Sequence, residues 1–324
     1  MRRNLQLSSK ELATLHNDFS LIQISFQDSL ELFLDDCKIR NLRPHTINYY
    51  RNELNVYYKH LREQDIDPTP SKVTSDIIKK HVILFMKEQG KKTVTINTRL
   101  RAIRSYFNFL HREKYLKTNP MYSVKLLKDR EAIVDTFTNN QLNDLLRQPD
   151  LHTFIGVRDY TIMLLLLETG LRANEVSNLS IHDIKLKEGV LHVRHSKTYY
   201  QRIVPFQNTM SKMLERWFSI RGICDCDSLF ITIDETPLTK RQLQSRISYY
   251  GKKADLKGVR CSCHTFRHTF ARMCVVGGAD PFTLQRLLGH TDLSMTKRYV
   301  NLFSEEINNN HKKFSPLKNL EKRI

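Results

Sequence analysis

Apolar residues recur every three or four positions between Phe26 and Leu110, and this spacing predicts amphipathic α-helices. Pro44 separates the first two helices, Asp76 is the expected cap of the third, and that helix should end before Gly90. The other three helices show their apolar faces at Phe26, Leu30, Phe33 and Leu34; at Ile47, Tyr50, Leu54, Tyr57 and Leu61; and at Ile96, Leu100, Ile103, Phe107 and Leu110. The pattern therefore predicts a helical bundle around one apolar core.

The second half of the chain mixes helical and alternating patterns. Residues 159–168 predict a buried helix that Gly170 terminates. Residues 189–195 and 202–205 alternate between apolar and polar positions, which predicts a β-hairpin with Lys197 near its turn. Further helices are expected after Asn208, after Thr239, up to Gly277, and between Pro281 and Gly289. The fold class is therefore mainly α with a small β-sheet.

A charged stretch without an apolar period, residues 125–135, separates these two regions and reads as a linker. Thr138 is the expected cap of the first helix beyond it. The predicted organisation is an N-terminal arm, a helical domain, a linker, and a mixed α/β domain with a C-terminal tail. Their bounds are residues 1–24, 25–122, 123–136 and 137–324.

The charge of the chain points to a polyanionic partner. Among 324 residues, 52 Lys and Arg face 34 Asp and Glu, a formal net charge of +18. DNA or RNA fits this excess better than an anionic membrane, because the longest clean apolar run, 162–167, is too short to span a bilayer. The polar sequence after Met1 does not resemble a signal peptide. We therefore expect a cytoplasmic protein that binds DNA.

Several residues in the second half are suited to phosphodiester chemistry. His264 and Arg267 are three positions apart, so they share a face on a helix. His290 follows in Leu288-Gly289-His290, and Tyr299 comes nine positions later. An arginine presents a planar set of donors that matches phosphate oxygens, and a tyrosine hydroxyl becomes a covalent nucleophile once its proton is removed.

Two more candidates lie upstream, and each has a structural alternative. Arg172 follows Gly170 and stands three positions before Glu175. The pair is either a salt bridge or a phosphate-binding arginine that Glu175 orients. Lys197 at the hairpin turn is either a solvated side chain or a general acid for a leaving oxygen.

The order Arg172, Lys197, His264, Arg267, His290, Tyr299 resembles the tyrosine recombinase (phage integrase) family, which includes Xer and transposon integrases. Residues 169–175, 264–268 and 287–290 carry the match with Tyr299, and the resemblance extends from about Phe26 to the end of the chain. A small departure at Ala173-Asn174 affects no catalytic atom.

The resemblance implies a helical core-binding domain, a mixed α/β catalytic domain and a site-specific DNA recombinase. Tyr299 would form a 3′-phosphotyrosyl link and release a 5′ hydroxyl. The pKa of an unperturbed tyrosine is ~10, so the Tyr299 hydroxyl needs a base at neutral pH, and His264 would serve as that base. Arg172, Arg267 and His290 would stabilise the phosphate oxygens, and Lys197 would protonate the leaving oxygen. Glu175 would support Arg172.

The same resemblance implies how the enzyme assembles and what it needs. A homotetramer would hold two DNA sites, with the C-terminal tail docked on a neighbouring protomer. Neither a metal, ATP nor another cofactor would be required. The expected setting is the bacterial cytoplasm, in association with the nucleoid. The second and fourth helices of the bundle would enter DNA grooves, which favours Thr46, Tyr49, Arg99 and Arg101 as DNA contacts.

Other functions compete with this interpretation. A type IB topoisomerase shares the chemistry but rejoins the same strand. A catalytically silent DNA-binding regulator would keep the fold, although the six intact residues argue against it. A metal-dependent nuclease would need an acidic cluster, and none is evident. The six cysteines are expected to be free thiols, and a zinc site at Cys224, Cys226, Cys261 and Cys263 is a minor alternative.

Overall fold

The computed structural model describes residues 24–128, 135–194 and 201–289, together with Tyr299. The chain divides into two compact units, Met1–Ala132 and Ile133–Ile324. Lys197, His290 and the predicted tail lie outside the described residues. Each unit is described here by itself.

The N-terminal unit is helical over its described residues. Its helices are α1 (Phe26–Ile39), α2 (Pro44–Arg62), α3 (Ser75–Ile78), α4 (Phe85–Glu88) and α5 (Thr93–Arg112), with a π-helical segment, Lys79–Leu84, between α3 and α4 and a 3-10 turn at Pro70–Lys72. The expected cap of the third helix was wrong. Thr74 accepts the hydrogen bond from the Ile77 amide at 3.3 Å, whereas Asp76 lies in the first turn.

The predicted apolar stripes pack into one core, and the largest fully buried side chains at its centre are Phe33, Tyr57, Tyr106 and Phe107. The core extends further along the chain than the stripes indicate. Val124 is buried, and the Asn97 side chain hydrogen bonds to both the carbonyl and the amide of Leu127, each at 2.9 Å. The first part of the predicted linker is therefore packed on the helical unit.

Over its described residues, the C-terminal unit combines helices with a three-stranded antiparallel sheet. Its strands are β1 (Ile184–Lys185), β2 (Val190–Val193) and β3 (Arg202–Pro205), and Leu191 pairs with Val204. Its helices are α6 (Asn139–Leu146), α7 (Phe154–Thr169), α8 (Ala173–Ser177), α9 (Asn208–Arg221), α10 (Lys240–Lys253), α11 (Cys263–Val276) and α12 (Pro281–Leu288), with 3-10 turns at Ile181–Asp183 and Leu186–Glu188. The two strands of the predicted hairpin are present, and β1 extends them into a sheet.

Local signals explain where these helices begin and end. Thr138 and Thr239 each form a capping box with the glutamine three positions on, so α6 and α10 start as predicted. Ser262 caps α11 by accepting a hydrogen bond from the Thr265 amide. Gly170 and Gly289 end α7 and α12 in the left-handed conformation, with φ of 61° and 63°.

Gly170 also allows a close approach between two elements. A Cβ at this position would overlap the ring of Phe270 on α11. The Gly170 carbonyl accepts a hydrogen bond from Arg267 at 2.7 Å. The end of α7 and the middle of α11 are therefore held in direct contact, and the segment that carries Arg172 starts from this point.

Gly170→Ala should destabilise the C-terminal unit by roughly 3 kcal/mol, since left-handed strain and overpacking against Phe270 add. Gly258→Ala is the matched control, because Gly258 also has positive φ but its Cβ would point into open space. That change should cost only about 1 kcal/mol. Thermal unfolding of the full chain compares the two, and equal shifts in melting temperature would contradict the packing argument.

Candidate active site

Three arginine side chains converge on the C-terminal end of α12. Arg267 of α11 donates to the carbonyl of Leu288 at 2.7 Å, and Arg202 of β3 donates from Nε to the carbonyl of Leu287 at 2.9 Å. Arg172 donates to the carbonyls of Leu288 and Gly289 at 3.4 and 3.3 Å. The last carbonyls of a helix lack partners within the helix and carry its negative end, so this is a favourable place for cations.

Glu175 lies among these arginines and is only 3% exposed. Arg202 donates to both of its carboxylate oxygens, at 3.0 and 2.9 Å, and Arg172 donates through its backbone amide and its guanidinium. Burial alone would raise the pKa of Glu175, but the hydrogen bonds and charge of Arg202, with those of Arg172, lower it below its ordinary value. Glu175 is therefore an ionised carboxylate that orients two arginines.

Arg172 and Arg267 differ in how far solvent reaches them. The Arg267 residue is 4% exposed, whereas the Arg172 side chain is 23% exposed. Burial, followed by the charge of Arg172, lowers the pKa of Arg267 to about 9, which still leaves it charged at neutral pH. Arg267 is the fixed cation of the pair, and Arg172 is the one with access to a ligand.

His264 lies one helical turn before Arg267 on α11, and it is exposed. Its pKa is lowered, first by partial burial of the ring and then by the positive charges of Arg267, Lys240, Arg172 and Arg260. His264 is therefore neutral at pH 7 and faces the same cations that surround Glu175. A neutral imidazole beside arginines can hydrogen bond to a phosphate oxygen or accept a proton.

Tyr299 packs against α11 and α12 and is 3% exposed. The side chains around it form an apolar cluster: Phe270, Ala271, Val275, Leu284 and Leu288. Its hydroxyl lies 2.7 Å from Nδ1 of His268. The predicted nucleophile is thus held against the helix that carries His264 and Arg267, in the same unit.

The Phage integrase family model matches residues 135–306, and the model of the N-terminal SAM-like domain of phage integrases matches residues 30–114. Tyrosine recombinase XerC of Thermodesulfovibrio yellowstonii is 31% identical over 297 residues, covering 88% of this chain and 95% of that protein. XerD of Pasteurella multocida is 30% identical over 295 residues, covering 89% and 97%. This chain belongs to the phage integrase family. It is a tyrosine recombinase, as the sequence predicted.

The recombinase also shares its fold with solved integrases. The Tn1549 transposon integrase in complex with a circular intermediate DNA matches with a TM-score of 0.70 at 22% identity, over 84% of this chain and 94% of that chain. The XerH site-specific recombinase bound to a palindromic substrate matches with a TM-score of 0.70 at 18% identity, over 90% of each chain. The predicted fold class, a helical N-terminal domain with a mixed α/β catalytic domain, is confirmed.

Four of the six predicted catalytic residues of the recombinase lie in the described part of its C-terminal unit: Arg172, His264, Arg267 and Tyr299. Lys197 and His290 fall outside the described residues, so their roles stay predictions. The salt bridge between Arg172 and Glu175 is present at 3.0 Å, and it is compatible with the orienting role expected of Glu175.

Two residues of the site were missed. Arg202 stands two positions before the buried Val204 on β3, so both lie on the inward face of the strand, while Ile203 between them is exposed. The sequence signal for Arg202 is therefore an arginine on the buried face of a predicted strand. His268 lies four positions after His264, so the two side chains share a face of α11.

The predicted DNA contacts occupy different environments in the N-terminal unit. Arg99 is buried, and its Nε donates to Glu53 at 2.9 Å. The Tyr49 hydroxyl donates to the carbonyl of Thr98 at 2.7 Å and so joins α2 to α5. Arg101 is exposed and Thr46 is half-buried. Arg99 and Tyr49 make contacts within the unit, and the DNA contacts of all four residues stay predictions.

The cysteines give no support to a zinc site. All six are free thiols, and burial raises the pKa of both Cys261 and Cys263 to about 12, which keeps them protonated at neutral pH. Across the described residues, no group of three or more His, Cys, Asp or Glu side chains could hold a metal ion. None of the described helices has the length and apolar character needed to cross a membrane.

Arg202→Lys should destabilise the chain by roughly 1.5–3 kcal/mol, because one ammonium cannot span both oxygens of Glu175 and the carbonyl of Leu287. It should also slow the recombinase reaction by at least ~10-fold, which corresponds to about 1.4 kcal/mol of barrier. Thermal unfolding and a single-turnover cleavage assay measure the two effects.

Arg194→Lys is the control for this change. The Arg194 side chain is 53% exposed and makes a contact of 2.6 Å with the buried Asp183, which a lysine can keep, so the loss should stay within about 1 kcal/mol. If the two variants melt and cleave alike, Arg202 does not anchor the site.

Proposed function

We propose that this recombinase cuts and rejoins double-stranded DNA at specific core sites through a 3′-phosphotyrosyl link to Tyr299. The observation that carries the proposal is the position of the Tyr299 hydroxyl, which is held beside α11 in the unit that also contains Arg172 and Arg267. The net charge of +18 supports a nucleic-acid substrate. The integrase and XerH structures with the same fold are themselves bound to DNA.

The arginine cluster suits a phosphodiester. The hydrogen bonds of Arg172 to the end of α12 are long, at 3.3 and 3.4 Å, so its guanidinium can turn to a phosphate at little cost. Arg267 makes two bonds of 2.7 Å and stays in place. Removing one such donor from a developing oxyanion typically costs ~3 kcal/mol of transition-state stabilisation. Together the two arginines would neutralise both non-bridging oxygens.

The reaction follows as an in-line displacement. The Tyr299 oxygen forms a bond to phosphorus while a histidine of α11 takes its proton. The bond from phosphorus to the 5′ oxygen breaks, and Lys197 supplies a proton to that oxygen. His290 adds a hydrogen bond to the phosphate. The phosphodiester energy stays in the tyrosyl link, so a 5′ hydroxyl of another strand can reverse the step without ATP or metal.

Exchange between two duplexes needs four such cleavages, which implies a homotetramer on two DNA sites. The C-terminal tail, outside the described residues, would dock on a neighbouring protomer and link the four subunits. The cytoplasm of a bacterium, in contact with the nucleoid, is the setting that fits this substrate. Arg101 and Thr46 on the N-terminal unit would contact the grooves of the core site.

Tyr299→Phe should abolish covalent attachment while DNA binding changes less than ~3-fold, since only the hydroxyl is lost. A library of nicked duplexes with a randomised core traps the adduct, and sequencing of the attached strands identifies the site. Tyr249→Phe is the control, because Tyr249 is an exposed residue of α10 and should leave the adduct intact.

An adduct that survives the Tyr299→Phe change would place the nucleophile elsewhere. If wild-type protein forms an adduct but only rejoins the same strand and relaxes supercoils, the enzyme acts as a topoisomerase and the recombination proposal is wrong.

Lys197→Ala should slow cleavage of a normal phosphodiester by ~100-fold or more, as expected for loss of a general acid. A substrate with a 5′-bridging sulfur should be slowed much less, because a thiolate leaves without a proton. Single-turnover rates on the two substrates are compared. Equal slowing of both would remove Lys197 from the role of acid.

A further inference from the structure

His268 contacts the hydroxyl of Tyr299, which is the reacting atom in the proposed function. Its Nδ1 lies 2.7 Å from the tyrosine hydroxyl, the distance of a full hydrogen bond, and the two ring centroids are 5.7 Å apart. The aromatic ring of Tyr299 is fixed by the apolar cluster around it, which includes Leu284 and Leu288 of α12. The contact therefore has the range that proton transfer requires.

The helix under His268 is anchored on both sides of that residue. Arg267 is held by the carbonyls of Gly170 and Leu288. Thr269 donates to the carbonyl of Thr265 at 2.8 Å and accepts from the amide of Phe137 at 2.9 Å. An imidazole on so fixed a backbone keeps its position relative to the tyrosine without reorganisation.

We propose that His268, rather than His264, is the general base that takes the proton of Tyr299. The inference rests on the proposed phosphotyrosyl chemistry and assigns one of its steps. As the Tyr299 oxygen bonds to phosphorus, its proton passes to Nδ1 of His268, whose other nitrogen carries the ring hydrogen. When a 5′ hydroxyl later attacks the link, the protonated His268 returns that proton to the departing tyrosine oxygen.

His264 is better placed for the phosphate. Its ring is nearly parallel to that of His268, with 6.5 Å between centroids. It is exposed, and it faces the positive charges of Arg267, Lys240 and Arg172, which are the cations suited to a phosphate. This division of roles gives each histidine of α11 one partner: His268 the nucleophile, and His264 an oxygen of the scissile phosphate.

Single-turnover cleavage of a nicked duplex tests the assignment with two substitutions of His268. His268→Asn puts an amide oxygen near the position of Nδ1, so it retains a hydrogen-bond acceptor for Tyr299 but cannot take a proton at neutral pH. His268→Ala removes the group. We expect both variants to bind DNA within ~3-fold of wild type and to cleave at least ~100-fold more slowly, the usual loss for a missing base.

Two rescues separate a base from a positioning residue. Added imidazole should accelerate the His268→Ala variant at least ~10-fold. It should not accelerate the His182→Ala control, because His182 is exposed and distant from His268 in the sequence. Replacing Tyr299 by a fluorinated tyrosine, whose phenol gives up its proton more easily, should recover part of the rate lost in both His268 variants.

The outcomes are distinct. If His268→Asn cleaves as fast as wild type, His268 only positions Tyr299 and the base assignment is wrong. Faster cleavage by His268→Ala would show that His268 restrains the nucleophile, which also overturns it. If wild-type protein forms no covalent adduct on any duplex of the library, the proposed function fails, and the inference fails with it.

Discussion

The C-terminal end of α12 is the point on which the site depends. Its last carbonyls accept hydrogen bonds from Arg172, Arg202 and Arg267, which come from a loop, a strand and a helix that are distant in sequence. A helix end offers partial negative charge in a fixed direction, so it can hold several guanidinium groups without a second carboxylate. This interaction brings α7, β3, α11 and α12 together around one small volume.

The charges of the described residues in that volume do not cancel. Glu175 is the buried carboxylate that pairs with Arg172 and Arg202, while Arg267 donates its hydrogen bonds to carbonyls. Within the described part of the site, three cations thus share one full negative charge and the partial charge of a helix end. Gathering like charges in a partly buried place is costly unless an anion joins them. A bound phosphate would relieve this excess.

The arginine side chains of the site differ in how firmly they are held. Arg267 and Arg202 make short bonds and are nearly buried, so they define the frame of the site. Arg172 makes longer bonds and has access to solvent, so it can exchange a carbonyl for a ligand. His268 and Tyr299 form their contact next to Arg267 on α11, where apolar side chains hold the tyrosine ring. One helix therefore carries both Arg267 and the histidine that contacts Tyr299.

The sequence by itself determined most of the helices and their ends, because hydrophobic period, capping threonines and terminal glycines act over a few residues. The third helix is the exception, since Thr74 rather than Asp76 caps it and its middle is π-helical. It also determined the family, since the order of six residues is independent of the folded state. Only the tertiary structure decided the partners: Arg202 with Glu175, 27 positions apart, His268 with Tyr299, 31 apart, and Arg99 with Glu53, 46 apart. A local pattern shows which face of an element is buried, but it does not show what lies against that face. The ion pair that Arg99 makes with Glu53 is one such partner that no local pattern indicates.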